Sequence, residues 1–108
     1  MIPKERYIDI LIEVFANHNE KSMGGSFMAS KIIEKLGDDF EPCAAQSYVQ
    51  DFNDIIEDCL KYKLIDHYSY WTDEDGTFPV SGNECENDFI LNKKLMRRSK
   101  IESLLNGR

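Results

Sequence analysis

No stretch of this 108-residue sequence is apolar for the roughly 18 residues that a membrane-spanning helix needs. The opening Met1-Ile2-Pro3-Lys4-Glu5-Arg6 lacks the basic-then-apolar layout of a secretion signal. Together these absences predict a cytoplasmic chain with no membrane partner. Cysteine is scarce: Cys43, Cys59 and Cys85 are an odd number at wide spacings, and no Cys-x-x-Cys pair occurs. Zinc and dithiol redox chemistry therefore have no ligand framework, and free thiols in a reducing compartment are expected. Neither His18 nor His67 has a second His or a Cys at metal spacing. Ser22, Gly24, Gly25 and Ser26 hint at a phosphate loop but lack Walker spacing and its terminal Gly-Lys-Ser/Thr, so they read as a connector. No cofactor, metal or catalytic constellation is predicted, and the chain reads as a non-enzyme.

What is abundant is acid, and it is segregated. Asp38 to Asp88 carry fourteen Asp or Glu against Lys61 and Lys63, a net of −12. Phe89 to Arg108 carry six Lys or Arg against Glu102, a net of +5. The first thirty-seven residues balance, so the chain sums to −7. A surface built from the middle stretch repels phosphate and attracts a basic partner. An apolar content of 42% and a charged fraction of 31% are compatible with one folded domain over residues 1–108.

Helical spacing begins early. From Lys4 to His18, Tyr7, Ile8, Leu11, Ile12, Val14 and Phe15 share one side, opened by Pro3. After a break at 19–25, Ser26 offers an N-cap for a short second helix carrying Ala29, Ile32, Ile33 and Leu36 and stopped at Gly37. Pro42 fits a first helical position, followed by the stripe Ala45, Tyr48, Val49, Phe52, Ile55, Ile56, Cys59 and Leu60. The opposite face, with Gln46, Gln50, Asp51, Asn53, Asp54, Glu57, Asp58 and Lys61, is predicted to be wet and negative. From Leu64 the residues favour a strand that runs into the turn Thr72-Asp73-Glu74-Asp75-Gly76. The returning strand is either Thr77 to Val80 or Asp88 to Asn92. Pro79, Gly82 and Asn83 read as loop and favour the second, which leaves a long hairpin tip from Thr72 to Asn87. A final helix covers Lys94 to Leu105. The fold class is α+β and mostly helical: three helices, a two-stranded hairpin and a C-terminal helix.

That order resembles winged helix-turn-helix domains of the small bacterial or phage type. The segment Cys59-Leu60-Lys61-Tyr62-Lys63-Leu64-Ile65 resembles the end of a winged-helix third helix turning into the wing, with Tyr62 or Lys63 at a turn position often held by Gly. Leu91-Asn92-Lys93-Lys94, leading into Leu95, resembles the return from wing to closing helix. The resemblance implies DNA binding with the third helix in the major groove and the wing beside it. Gln46, Ser47, Gln50 and Asn53 are residue types that read bases, yet Asp51, Asp54, Glu57 and Asp58 share that helix and Asp73, Glu74 and Asp75 hold the wing tip. Nucleic acid is thus not expected on the acidic face, where carboxylates stand in place of phosphate-neutralising cations.

Other features take ordinary readings. Setting Gly76 as sixth residue of an EF-hand loop places Trp71 first and Gly82 twelfth, so two obligatory calcium ligands are missing and a solvated turn is expected. His18 suits the end of the first helix, and His67 is a half-exposed strand residue that its neighbour Asp66 cannot orient. Cys59 lies on an apolar stripe and reads as a packed, inert thiol. Trp71, at the edge of the acidic loop, is a candidate anchor for a partner. The expected function is a small acidic module that binds and inhibits a basic, nucleic-acid-handling protein, as immunity proteins and phage or prophage inhibitors do. Its contact residues would be Asp51, Asp54, Glu57, Asp58, Trp71, Asp73, Glu74 and Asp75. The alternative is a winged-helix transcriptional regulator acting as a homodimer, reading DNA through Gln46, Gln50 and Asn53 with Arg97 and Arg98 of another subunit.

Overall fold

The structure, a computed structural model, describes residues 2–42, 47–68 and 82–98. Helix α1 (Lys4–Ala16) starts beyond Pro3, whose extended backbone leaves its carbonyl to accept the Arg6 and Tyr7 N–H groups. Its spacing buries Tyr7, Ile10, Leu11, Ile12 and Val14, while Ile8 and Phe15 pack at the margin. Helix α2 (Gly25–Leu36) stops at Gly37 as expected, where a φ of 56° is accessible to glycine at little cost. The two helices are tied at the surface by Lys35 to Glu13 at 2.7 Å.

The 19–25 stretch is not a mere connector. Ser22 and Met23 are buried, and Met23–Gly24 form a short strand, β1. The helix that follows is capped by Gly24 and begins at Gly25, ahead of Ser26. Strand β2 (Ile65–Tyr68) and strand β3 (Asp88–Leu91) complete an antiparallel sheet of order β1-β3-β2. Met23 lies opposite Phe89, and Ile65 opposite Leu91. Among the described residues the sheet is therefore three-stranded, not the expected two-stranded hairpin, with the 88–91 strand at its centre. Period two along β3 directs Phe89 and Leu91 into the core, where Phe89 is among the largest fully buried side chains together with Tyr7, Leu11, Met28, Ile32, Ile56, Cys59 and Ile65.

Helix α3 (Tyr48–Lys61) starts later than Pro42. Ser47 is its N-cap, accepting the Gln50 N–H at 3.3 Å, so a residue expected among base readers serves the backbone instead. Its far end closes in a Schellman arrangement: Leu64 N–H donates to the Cys59 carbonyl at 3.0 Å and Lys63 N–H to Leu60 at 2.9 Å. Lys63 takes the left-handed conformation, φ 61°, that glycine usually supplies there. Lys63→Gly is expected to stabilise the fold by about 1 kcal/mol, the strain relieved exceeding the added chain entropy; urea unfolding of the two proteins measures it.

The segment before β3 also departs from a free hairpin tip. Glu84–Glu86 form a 3-10 turn packed between α2 and α3. Gly25 N–H donates to the Asn87 carbonyl at 2.7 Å, and Asn53 of α3 accepts the Cys85 N–H at 3.2 Å. Residues 93–98 are helical, opened by Asn92, whose side chain accepts the Lys94 N–H at 3.0 Å. They are tied to α1 by Arg98 and Asp9 at 3.7 Å. Among the described residues, no helix is long and apolar enough to cross a membrane.

Candidate functional site

The outer side of α3 is built by subtraction. Ile55, Ile56 and Cys59 turn into the core with Phe52 and Leu60 at its edge, which leaves Gln50, Asp54, Glu57 and Lys61 exposed at successive intervals of four, three and four. These four form one stripe, because such intervals return a helix to nearly the same azimuth. Gln50 donates its side-chain amide to Asp54 at 3.0 Å, which fixes the first carboxylate along the helix. The stripe is thus polar at its start, doubly negative in the middle and positive at Lys61.

The four acids expected on this face do not stay together. Asp54 and Glu57 are exposed, whereas Asp51 is only 6% exposed and engaged within the fold. Asp51 sits in the first turn, where the helix dipole favours a carboxylate. Asp58 is half-buried and accepts the Tyr7 hydroxyl at 3.0 Å, a contact reaching across from α1. Neither Asp51 nor Asp58 is presented to a partner as expected. Trp71, Asp73, Glu74 and Asp75 lie outside the described residues, as do Gln46 and Cys43. Conversely Tyr48 and Val49, expected on the buried stripe, are 81% and 48% exposed. With the helix beginning at Tyr48, its first turn overhangs the end of the core.

Among the described residues, those that would read bases are already committed. Gln50 is bonded to Asp54, and the Asn53 oxygen is taken by the Cys85 N–H. Cys85 in turn donates its thiol to the Val49 carbonyl at 3.7 Å. His67 is oriented not by Asp66 but by Glu84, at 2.9 Å, and its ring packs on Phe89 with centroids 5.0 Å apart. The same Glu84 oxygen accepts from Asn87 at 2.6 Å. This clasp pins the 84–87 turn to the sheet. Seventeen residues separate His67 from Glu84, so no local pattern could have announced the pair. His18 likewise bonds the Ser22 carbonyl at 2.8 Å and packs on Phe27; it does not cap α1. Among the described residues no group of three or more His, Cys, Asp or Glu could hold a metal ion.

Two buried acids mark the core beneath the stripe. Burial and then the Asp58 charge push the Cys59 thiol up to about 12, and the side chain is packed in the core as expected. Burial, followed by the bond to Asp58 and its charge, pushes the Tyr7 phenol far above its usual range. Both groups titrate higher folded than unfolded. Their stabilisation is complete below about pH 9 and is lost as pH rises beyond it, by up to about 1.4 kcal/mol per pH unit for each group. Urea unfolding between pH 7 and pH 11 is expected to show that decline. Tyr7→Phe should flatten it above pH 10, while costing about 1–3 kcal/mol at neutral pH because the half-buried Asp58 loses its donor.

Compared with protein families, curated proteins and solved structures, the chain finds no match in any of the three.

Proposed function

We propose that this chain is a small, non-catalytic acidic module of winged-helix-like architecture that binds and inhibits a basic, nucleic-acid-handling protein in the cytoplasm. An immunity protein or a phage-encoded inhibitor is the concrete form. One observation carries the reading: the exposed stripe of α3, which a nucleic-acid reader would turn to phosphate, presents Asp54 and Glu57 at its middle, within a stretch of net charge −12. Such a face steers a cationic partner toward it and opposes a polyanion. The engagement of Gln50 and Asn53 within the fold weighs against base reading through the same helix. Three helices, a sheet entered directly from α3 and a closing helix support the winged-helix-like reading. The test is affinity capture from the native host with the wild type and with Asp54→Lys/Glu57→Lys as parallel baits. The wild type is expected to retain a basic, nucleic-acid-handling protein that the reversed bait loses; identical captures would refute the reading.

A further inference from the structure

The two lysines that interrupt the acidic stretch belong, in space, to the basic tail. The Asn92 N–H donates to the Leu64 carbonyl at 2.9 Å, so Lys63 and Lys93 flank the last bonded rung between β2 and β3. The closing helix starts there, and Lys93, Lys94 and Arg97 fall on its exposed arc, opposite the buried Leu95. Lys61, the cationic end of the α3 stripe, leads into the same region. All five are exposed. Among the described residues none of the five pairs with a carboxylate, although the chain holds twenty acids and thirteen bases and Arg6, Lys31 and Lys35 do pair. A cluster left unpaired amid excess acid is available to an external anion.

We propose that this cationic end, formed by Lys63, Lys93, Lys94 and Arg97, binds the phosphate backbone of nucleic acid. Neither Asp54 nor Glu57 is among its residues. Among the described residues the exposed large apolar side chains, Phe27, Tyr48 and Val49, belong to the first turns of α2 and α3, while Tyr62 and Met96 beside the cations are partly buried against the core. An exposed lysine facing a protein carboxylate gains little net free energy. Each cation that neutralises a phosphate on a polymer releases a condensed counterion, and this gain needs no apolar contact. A bilayer is disfavoured since, among the described residues, no fully exposed large apolar side chain lies at this end. The net charge of −7 opposes binding only at short range at physiological salt, where screening falls to about 8 Å. Asp66, exposed three residues beyond Lys63, further moderates the affinity.

The test is fluorescence anisotropy of a labelled duplex DNA titrated with the full chain at several salt concentrations. Four phosphate contacts give a slope of log affinity against log salt near −3.6, about a 150-fold loss between 50 and 200 mM. Lys93→Ala/Arg97→Ala is expected to reduce that slope by about 2, since each contact removed takes about one unit. Lys63→Gly removes a cation while suiting the turn, so it separates lost charge from lost fold; it should reduce the slope by about 1. Asp54→Asn/Glu57→Gln should leave the slope unchanged. The proposal is overturned if about 100 µM protein binds no duplex at about 25 mM salt, or if the lysine and arginine variants keep the wild-type slope. It is equally overturned if phosphatidylserine vesicles, and not DNA, are bound through these cations. The capture of a basic protein depends on Asp54 and Glu57, so either result here leaves that reading standing or falling on its own experiment.

Discussion

Gly25→Ala is expected to lower the unfolding temperature by roughly 10–20 °C, the shift that a loss of about 3 kcal/mol produces in a domain of this size. A Cβ at Gly25 would stand 2.2 Å from the Glu84 carbonyl oxygen and 3.1 Å from both the Asn87 oxygen and the Cys85 Cα. All three are backbone atoms, and the turn that carries them is held from several sides. His67 and Asn87 bond the Glu84 carboxylate, Asn53 accepts the Cys85 N–H, and Asn87 accepts the Gly25 N–H itself. Moving the turn to admit one methyl therefore breaks bonds to α3 and to the sheet together. Gly24→Ala is the internal control: its Cβ would meet only the Asp88 side chain, at an ordinary 3.6 Å. That change should stay within about 0.5 kcal/mol. Thermal unfolding followed by circular dichroism distinguishes the two, and equal melting temperatures would mean that the 84–87 turn does not rest on Gly25.

The same turn shows where the chain was readable and where it was not. Long periodic segments carried their own signal: α1, the Gly37 stop, the body of α3 and the 88–91 strand all follow from apolar spacing and turn residues. A two-residue strand such as Met23–Gly24 has no period to detect, and it exists only because Phe89 and Asp88 lie across from it. Sequence spacing alone does not place the start of α3, because Pro42 and Ser47 are both good openers and the structure uses Ser47.

On the candidate site, helical angle alone identified the exposed Asp54 and Glu57. It could not identify Asp58 as the acceptor of Tyr7, because the width of the buried arc depends on what α1 brings against it. Asp51, placed by sequence among exposed acids, lies within the fold for the same reason. Sequence charge therefore overstated the number of acids on the α3 face, while the sign of its exposed middle stands.

That sign governs the rate at which a basic partner arrives. Asp54→Lys/Glu57→Lys moves the net charge from −7 to −3 and inverts the middle of the stripe. Both side chains are exposed, so their replacement should change folding stability by no more than about 0.5–1 kcal/mol. The expected effect is kinetic. Steering by a focused charged face raises association rates by roughly 10- to 1000-fold, and the reversed face should forfeit about ten- to a hundredfold of it. Because the Debye length shrinks from about 30 Å at 0.01 M to about 8 Å at 0.15 M salt, the wild-type rate should fall steeply over that range. The variant's rate should stay flat or rise. Dissociation rates should differ far less, since charges that steer an encounter act mainly before contact.

The decisive measurement is stopped-flow association of the captured basic partner with the wild type and with Asp54→Lys/Glu57→Lys, at about 10 mM and about 150 mM salt. A wild-type rate at least tenfold above the variant's is expected at low salt, with the gap narrowing at high salt. Equal rates for the two proteins at low salt would contradict it, and would take the acidic face of α3 out of the binding event.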